Sequence, residues 1–245
     1  MLIFTVNFLI DTVLFDCWRT ILKASNLMKR GAVTTHFYKI LVNQGHKIDY
    51  KVFEAAYKAS TKSQNIQENV TLKEFDHEKR LLDTFETMNY TKPELPTIVR
   101  ALWKEYLTLW PIHSKLYKET MPLLNNLKGR YKLGLVTNFV DGPTARKVFD
   151  NLQFEKLFDV IIISGEVGYR KPKRLLFDLA LTELKSTPEK SVMVGDTVEA
   201  DVIGPKEIGM KAILIDADGS KKDSHHLADA VIRNIGEVQR VLLHI

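Results

Sequence analysis

Two textures alternate along this chain. Short apolar runs stand at 12–16 (TVLFD), 132–136 (KLGLV), 159–163 (DVIII), 191–195 (SVMVG) and 211–215 (KAILI). Each is brief and bounded by turn-forming or charged residues, which is how a strand buried on both faces reads. Between them, 143–151 and 173–185 carry apolar residues three and four positions apart, such as Leu176, Leu179, Ala180 and Leu184, and so predict helices. Strand and helix in alternation predict an α/β fold with a doubly wound parallel sheet.

More than one hundred residues separate the first run from the second, and none of them reads as a strand. Helices are predicted at 31–43, 49–63, 72–88 and 95–109, divided by turn-like stretches such as NQGHKID and NYTKPELP. An all-helical block interrupting an α/β chain after its first strand is expected to be an inserted domain, here residues 24–110. The α/β core then comprises 1–23 and 111–245 and resumes with a helix near 114–127. The first ten residues are expected to be an extra edge strand or a mobile extension.

Composition narrows the class. With 45% hydrophobic and 27% charged residues, the 245-residue chain has the apolar material for a real core. The net charge of +5 is spread along the sequence without a dense basic block, which disfavours nucleic acid as a partner. The one cysteine, Cys17, excludes an internal disulfide and fits a reducing compartment. No apolar run approaches the ~18 residues that span a bilayer, and the start MLIFTVNFLID lacks a basic leader segment. A cytoplasmic protein without a membrane partner is the expectation; oligomeric state is left open.

Polar groups stand immediately after the strands: Asp16 after the first, Thr137 and Asn138 after the second, Asp196 after the fourth. Ligands of open parallel sheets bind at the carboxyl ends of strands. Any one of these residues reads as an ordinary cap or turn, but three separate segments delivering four of them to one edge read as a site. Asp16, Asp196 and Asp201, the latter two within GDTVEAD, suit Mg²⁺, a hard cation that prefers oxygen ligands. Thr137 and the amide of Asn138 are placed to hold phosphate oxygens, and Lys171 in YRKPKR to neutralise charge beside Asp16. A carboxylate can attack phosphorus and split one hard displacement into two easier ones.

The ordered set FDCWRT, LVTN, YRKP and VGDTVEAD resembles the four motifs of the haloacid dehalogenase superfamily, across residues 12–215. The resemblance implies a Rossmann-like core with a helical cap inserted after the first strand. It also implies roles: Asp16 as nucleophile, Thr137 as phosphate binder, Lys171 as charge neutraliser. Mg²⁺ would be held by Asp16, Asp196 and the backbone carbonyl of Trp18, with Asp201 in support.

Two departures matter. Phosphatases of this family carry a second aspartate two residues after the nucleophile, which protonates the leaving oxygen; here that position is Trp18. General acid–base help is worth ~10²–10⁴-fold. Three readings follow: a Mg²⁺-dependent phosphatase of a small phosphorylated molecule, suited to aryl or acyl phosphates or borrowing an acid from the cap; a 2-haloacid dehalogenase, whose halide leaves without a proton; and a catalytically quiet domain that binds a phosphorylated ligand or a partner protein. The dehalogenases use no metal and lack the acid corresponding to Asp196, so GDTVEAD favours the phosphatase. The second departure is Arg19, where the family usually has glycine. Arg19 either reshapes the loop or projects over the site to clamp an anionic group of the substrate.

Other features carry a plainer reading. Cys17 is expected as a small buried residue, and His225–His226 as exposed and unliganded. Lys29–Arg30 reads as a solvated helix-end pair, and Trp103, Tyr106 and Trp110 as core of the helical block. Pro205 predicts a helix that starts or kinks beside it.

Overall fold

Thr12–Phe15 (β1) is buried at all four positions, as a strand covered on both faces must be. In the computed structural model, which describes residues 9–23 and 30–245, β1 is the third strand of a six-stranded sheet. The others are β4 (Lys132–Thr137), β5 (Val160–Ile163), β6 (Ser191–Gly195), β7 (Lys211–Ile215) and β8 (Ala230–Ile232), in the order β5-β4-β1-β6-β7-β8, every pair parallel. The chain builds outward from β1 in one direction through β4 and β5, then returns to build the other side through β6, β7 and β8. The order therefore reverses at β1, and the carboxyl ends of β4, β1 and β6 flank a topological switch point.

Alternation along β1 divides the core into two layers. Val13 and Phe15 pack with Leu133, Leu135, Val192 and Val194 beneath α5 (Thr120–Leu127) and α6 (Gly142–Asn151). Leu14 faces the opposite way, with Val136 and Met193, under α8 (Arg174–Glu183), whose buried face is Leu176, Phe177, Ala180 and Leu181. Leu179 stands on the other side of α8, partly in solvent, so the apolar spacing placed the helix correctly but put one residue too many on its inner face.

The helical insertion has a core of its own, formed by Phe37, Leu41, Phe53, Leu81, Phe85, Val99 and Leu102 from α1 (Arg30–Asn43), α2 (Tyr50–Thr71), α3 (His77–Thr87) and α4 (Leu95–His113). Asp49 caps α2 and Asp76 caps α3 through their carboxylates, each accepting backbone N–H bonds of the first turn. A left-handed Leu72 (φ 52°) closes α2. The predicted break at 63 and helical start at 72 are thus both displaced: the polar run SQNIQENVT continues the helix, and the Asp76 cap starts the next.

Three short strands escaped the sequence reading. Leu22–Lys23 (β2) pairs antiparallel with Lys115–Leu116 (β3), so the chain enters and leaves the helical insertion along adjacent strands. The helix expected near 114–127 begins only at Thr120 because β3 occupies its start. β8 is three residues long, too short for a periodic signal. A single π-helical turn (Val198–Ile203) runs into α9 (Gly204–Glu207), with Pro205 in the first turn, where its missing N–H is not needed. Residues 1–8 and Lys29 lie outside the described residues; Arg30 opens α1. Among the described residues no helix is long and apolar enough to cross a membrane.

Leu14 lies directly against Gly134 of β4, where an added Cβ would come within 2.5 Å of its Cδ2. Leu14→Ala should lower the unfolding free energy by about 2–5 kcal/mol in a urea titration; a loss well under about 1 kcal/mol would show that the layer repacks freely.

Candidate active site

The first residue beyond β1 is Asp16, whose N–H donates to Val194 O at 2.9 Å and so continues the sheet by one rung. The chain then turns sharply. The N–H groups of Ile21 and Leu22 both donate to Cys17 O at 2.9 Å, and Arg19 N–H donates to Leu22 O at 2.6 Å. This turn requires φ of 68° at Arg19, a left-handed conformation that favours glycine. Asp196 follows β6, and Asp201 lies one π-helical turn further on, its N–H donating to Thr197 O at 2.7 Å. At Gly195 an added Cβ would sit 2.3 Å from Asp201 Cγ. The bare backbone there is what admits the carboxylate.

Asp16, Asp196 and Asp201 are all buried, and one carboxylate oxygen of each lies within 4.8 Å of the others. Lys171 is buried between two of them, its Nζ donating to Asp16 Oδ1 at 2.8 Å and Asp201 Oδ1 at 2.7 Å. Burial works to lower the Lys171 pKa, but the Asp16 and Asp201 carboxylates outweigh it and hold the ammonium above its usual range. Burial pushes Asp201 upward, against the pull of Lys171. Asp196 is pushed up to about 6, first by burial and then by the Asp16 carboxylate. Three carboxylates around one ammonium leave two negative charges that Lys171 does not balance, one of them facing Arg19.

These donors fit a divalent cation. All are hard oxygens, and Asp196 Oδ1 is buried with no hydrogen-bond partner among the described residues. Asp201 differs from the other two: Lys171 takes Oδ1 and the Thr197 N–H donates to Oδ2 at 2.9 Å, so both of its oxygens are already engaged within the protein. Thr137 is buried at the end of β4, beside β1 in the sheet. The Asn138 side chain is committed elsewhere. Its Nδ2 donates to Lys171 O at 3.0 Å and its Oδ1 accepts the Lys171 N–H at 2.7 Å, fixing the lysine loop instead of reaching outward.

Trp18 is packing. Its ring stacks on Phe139 (centroids 4.4 Å apart, 16° between planes) and meets Trp110 of α4 edge-on at 5.4 Å. Each such pair contributes about 0.5–1.5 kcal/mol beyond the area it buries. Arg19 reaches the cluster from its edge: its Nε lies 3.1 Å from Asp196 Oδ2, and a terminal nitrogen donates to Thr197 Oγ1 at 3.3 Å. Burial, reinforced by Asp16, raises the Cys17 thiol well above its usual pKa, as befits a side chain closed off from solvent.

Some polar groups were invisible to motif reading. Asp216 sits just past β7, a strand-end position that could have singled it out, and His225 Nε2 lies 2.7 Å from its Oδ2. His225 is therefore half-buried and partnered, not free. Glu74, between α2 and α3, accepts from the Ser164 hydroxyl, and Glu68 of α2 pairs with Arg170. Only tertiary folding brings such distant positions together. A cavity of about 780 Å³ opens between the helical insertion and the core, walled by Tyr57, Trp103, Tyr106, Trp110 and Phe139. It reaches the strand ends at Asn138 and Phe139; Asp16, Asp196 and Asp201 lie outside its lining.

The family model described as haloacid dehalogenase-like hydrolase matches residues 10–209. Glyceraldehyde 3-phosphate phosphatase of Methanothermobacter thermautotrophicus is 30% identical over 132 residues, 51% of this chain and 58% of that protein. Phosphoserine phosphatase of Thermus thermophilus is 33% identical over 132 residues, 50% of this chain and 49% of that protein. The chain thus spans about half the length of the curated relatives it matches. A 2-haloacid dehalogenase from Pseudomonas syringae superposes with a TM-score of 0.72 at 21% identity, covering 96% of this chain and 98% of that one. A phosphatase from Thermococcus onnurineus superposes at 0.64 and 24% identity, covering 95% and 98%. At these identities the superpositions speak for the fold.

Removing Lys171 strands two buried carboxylates. Lys171→Met should cost about 3–5 kcal/mol in chemical denaturation, and adding Asp201→Asn should restore part of that loss. Equal stability of Lys171→Met and the parent would contradict the buried network.

Proposed function

Because the chain belongs to the haloacid dehalogenase-like hydrolase family, we propose that it is a Mg²⁺-dependent phosphatase acting on a small phosphorylated molecule. One observation carries the reading: Asp16, Asp196 and Asp201 converge around a charge deficit that Lys171 only partly fills. The matching relatives are phosphatases of small molecules, which points the same way.

In this reading Asp16, Asp196 and the Trp18 backbone carbonyl hold the ion, and Asp201 supports them. Bound there, Mg²⁺ supplies charge neutralisation for the transferring phosphoryl group. Asp16 attacks phosphorus, forming an aspartyl-phosphate as the bond to the leaving oxygen breaks, and water then attacks phosphorus and restores the carboxylate. Lys171 stays protonated and holds the free Asp16 oxygen in line, while Thr137 and the backbone at Asn138 receive phosphoryl oxygens. The helical insertion acts as the cap, with the aromatic-walled cavity taking the body of the substrate.

The leaving oxygen gets no proton from residue 18. An indole N–H is not an acid at neutral pH, and the Trp18 ring is held by Phe139 and Trp110. The enzyme therefore favours leaving groups that depart as anions, such as aryl or acyl phosphates. The same observation favours one second reading, a dehalogenase, since halide also departs without a proton; Asp196, kept here beside Asp16 and Asp201, argues against it.

Release of phosphate from an aryl phosphate and of halide from a short 2-haloacid, each with Mg²⁺ or chelator, separates the two. Phosphate release abolished by chelator is expected, and halide release indifferent to chelator would overturn the proposal. Across a series of aryl and alkyl phosphates, kcat/KM should fall steeply as the leaving alcohol becomes more basic. Trp18→Asp should help the poorest leaving groups most, by up to ~10²-fold. A flat dependence in the parent would mean that another group donates the proton.

A further inference from the structure

Arg19 is an exposed cation at the strand ends. Lys171 is locked between two carboxylates, whereas the Arg19 side chain is 68% exposed, tethered to the site through Asp196 Oδ2 at 3.1 Å and Thr197 Oγ1 at 3.3 Å. The backbone at Arg19 is held left-handed by the turn closing on Cys17 O and Leu22 O, so the side chain is launched toward Asp196 by a conformation that a non-glycine residue adopts only at a cost. That cost is tolerated where the group placed there has work to do.

Charge defines that work. The carboxylate cluster around Lys171 is short of two positive charges. A divalent cation alone would satisfy it, and Arg19 on the same carboxylate then becomes one charge too many. Two cations sharing Asp196 repel each other, so Arg19 weakens metal binding to the empty site. A phosphoryl group reverses the sign: its negative charge gives the planar guanidinium a new partner while the metal keeps Asp196.

We propose, resting on the metal-dependent reading above, that Arg19 is a tethered positioning residue that couples metal and phosphoryl binding: it competes with the divalent cation for Asp196 in the free protein and moves to the phosphoryl oxygens when both are present. Metal and phosphoryl ligand then bind with positive cooperativity, and the coupling is reciprocal. An exposed side chain on a tight turn can make this change without moving the sheet, and Thr197 marks the resting end of its swing.

The test is direct Mn²⁺ binding, read from the electron paramagnetic resonance signal of the free ion, with and without inorganic phosphate. It compares the parent, Arg19→Gln, Arg19→Lys and Arg19→Gly, the last being suited to the left-handed backbone. Without phosphate, Arg19→Gln and Arg19→Gly should bind Mn²⁺ about threefold or more tightly than the parent. Phosphate should tighten Mn²⁺ binding to the parent, and this enhancement should shrink about tenfold in both neutral variants. Arg19→Lys, which keeps the charge, should track the parent in the first measurement. Mn²⁺ affinity unchanged or weaker in both neutral variants, or a phosphate enhancement unchanged by them, would overturn the role of Arg19 while leaving the metal site standing. Failure of the parent and all variants to bind Mn²⁺, matching Asp196→Asn, would remove the metal-dependent reading itself and this inference with it.

Discussion

A buried lysine between two aspartates is the constraint on which the structure turns. Lys171 arrives from a loop far along the chain from Asp16, and its ammonium lies within 2.8 Å of both Asp16 and Asp201. Buried charges left unpaired cost several kcal/mol each, so the strand ends must meet in this register for the cluster to be tolerated at all. The pairing is incomplete: the ammonium reaches two of the three carboxylates, and Asp196 keeps an oxygen with no partner among the described residues. The arrangement that steadies the fold is thus the one that leaves a demand for further positive charge.

That lysine loop is gripped from both sides. Asn138 binds both the N–H and the C=O of Lys171 from the core. From the helical insertion, Leu72 O accepts the Arg170 N–H at 2.9 Å, and Glu74 N–H donates to Gly168 O at 3.1 Å. The helical unit therefore touches the residues next to the ammonium through its backbone, and touches the Asp16 loop through Trp110 and Trp18. A bulky aromatic at position 18 stands where a proton donor would, and makes a hydrophobic contact between the two parts. In the proposed reaction the price is selectivity for substrates that do not need the donor.

The sheet was legible because its central strands are short, apolar and buried on both faces, a pattern that TVLF and SVMVG show without help from context. Asp16, Lys171, Asp196 and Asp201 were legible as strand-end and loop residues of matching chemistry, and the structure gathers them into one cluster. Their division of labour was not. Asp201 and Asn138 looked like ligand-binding groups, yet their hydrogen bonds turn inward to hold Lys171, a fact that depends on side-chain direction and not on residue type. The pairs Glu68–Arg170 and Glu74–Ser164 join positions about one hundred residues apart and leave no local signature. Short strands such as β2, β3 and β8 are fixed by their partners, since two or three residues carry no period of their own.

The most direct test of the account is the identity of the group that carries the phosphoryl in mid-reaction. Acid quenching during turnover of an aryl phosphate with Mg²⁺, followed by peptide mass mapping, should find one phosphoryl group on the peptide containing Asp16. Asp16→Asn should lose both that adduct and turnover. Phosphate released at the parent rate by Asp16→Asn, or an adduct on any other residue, would contradict it.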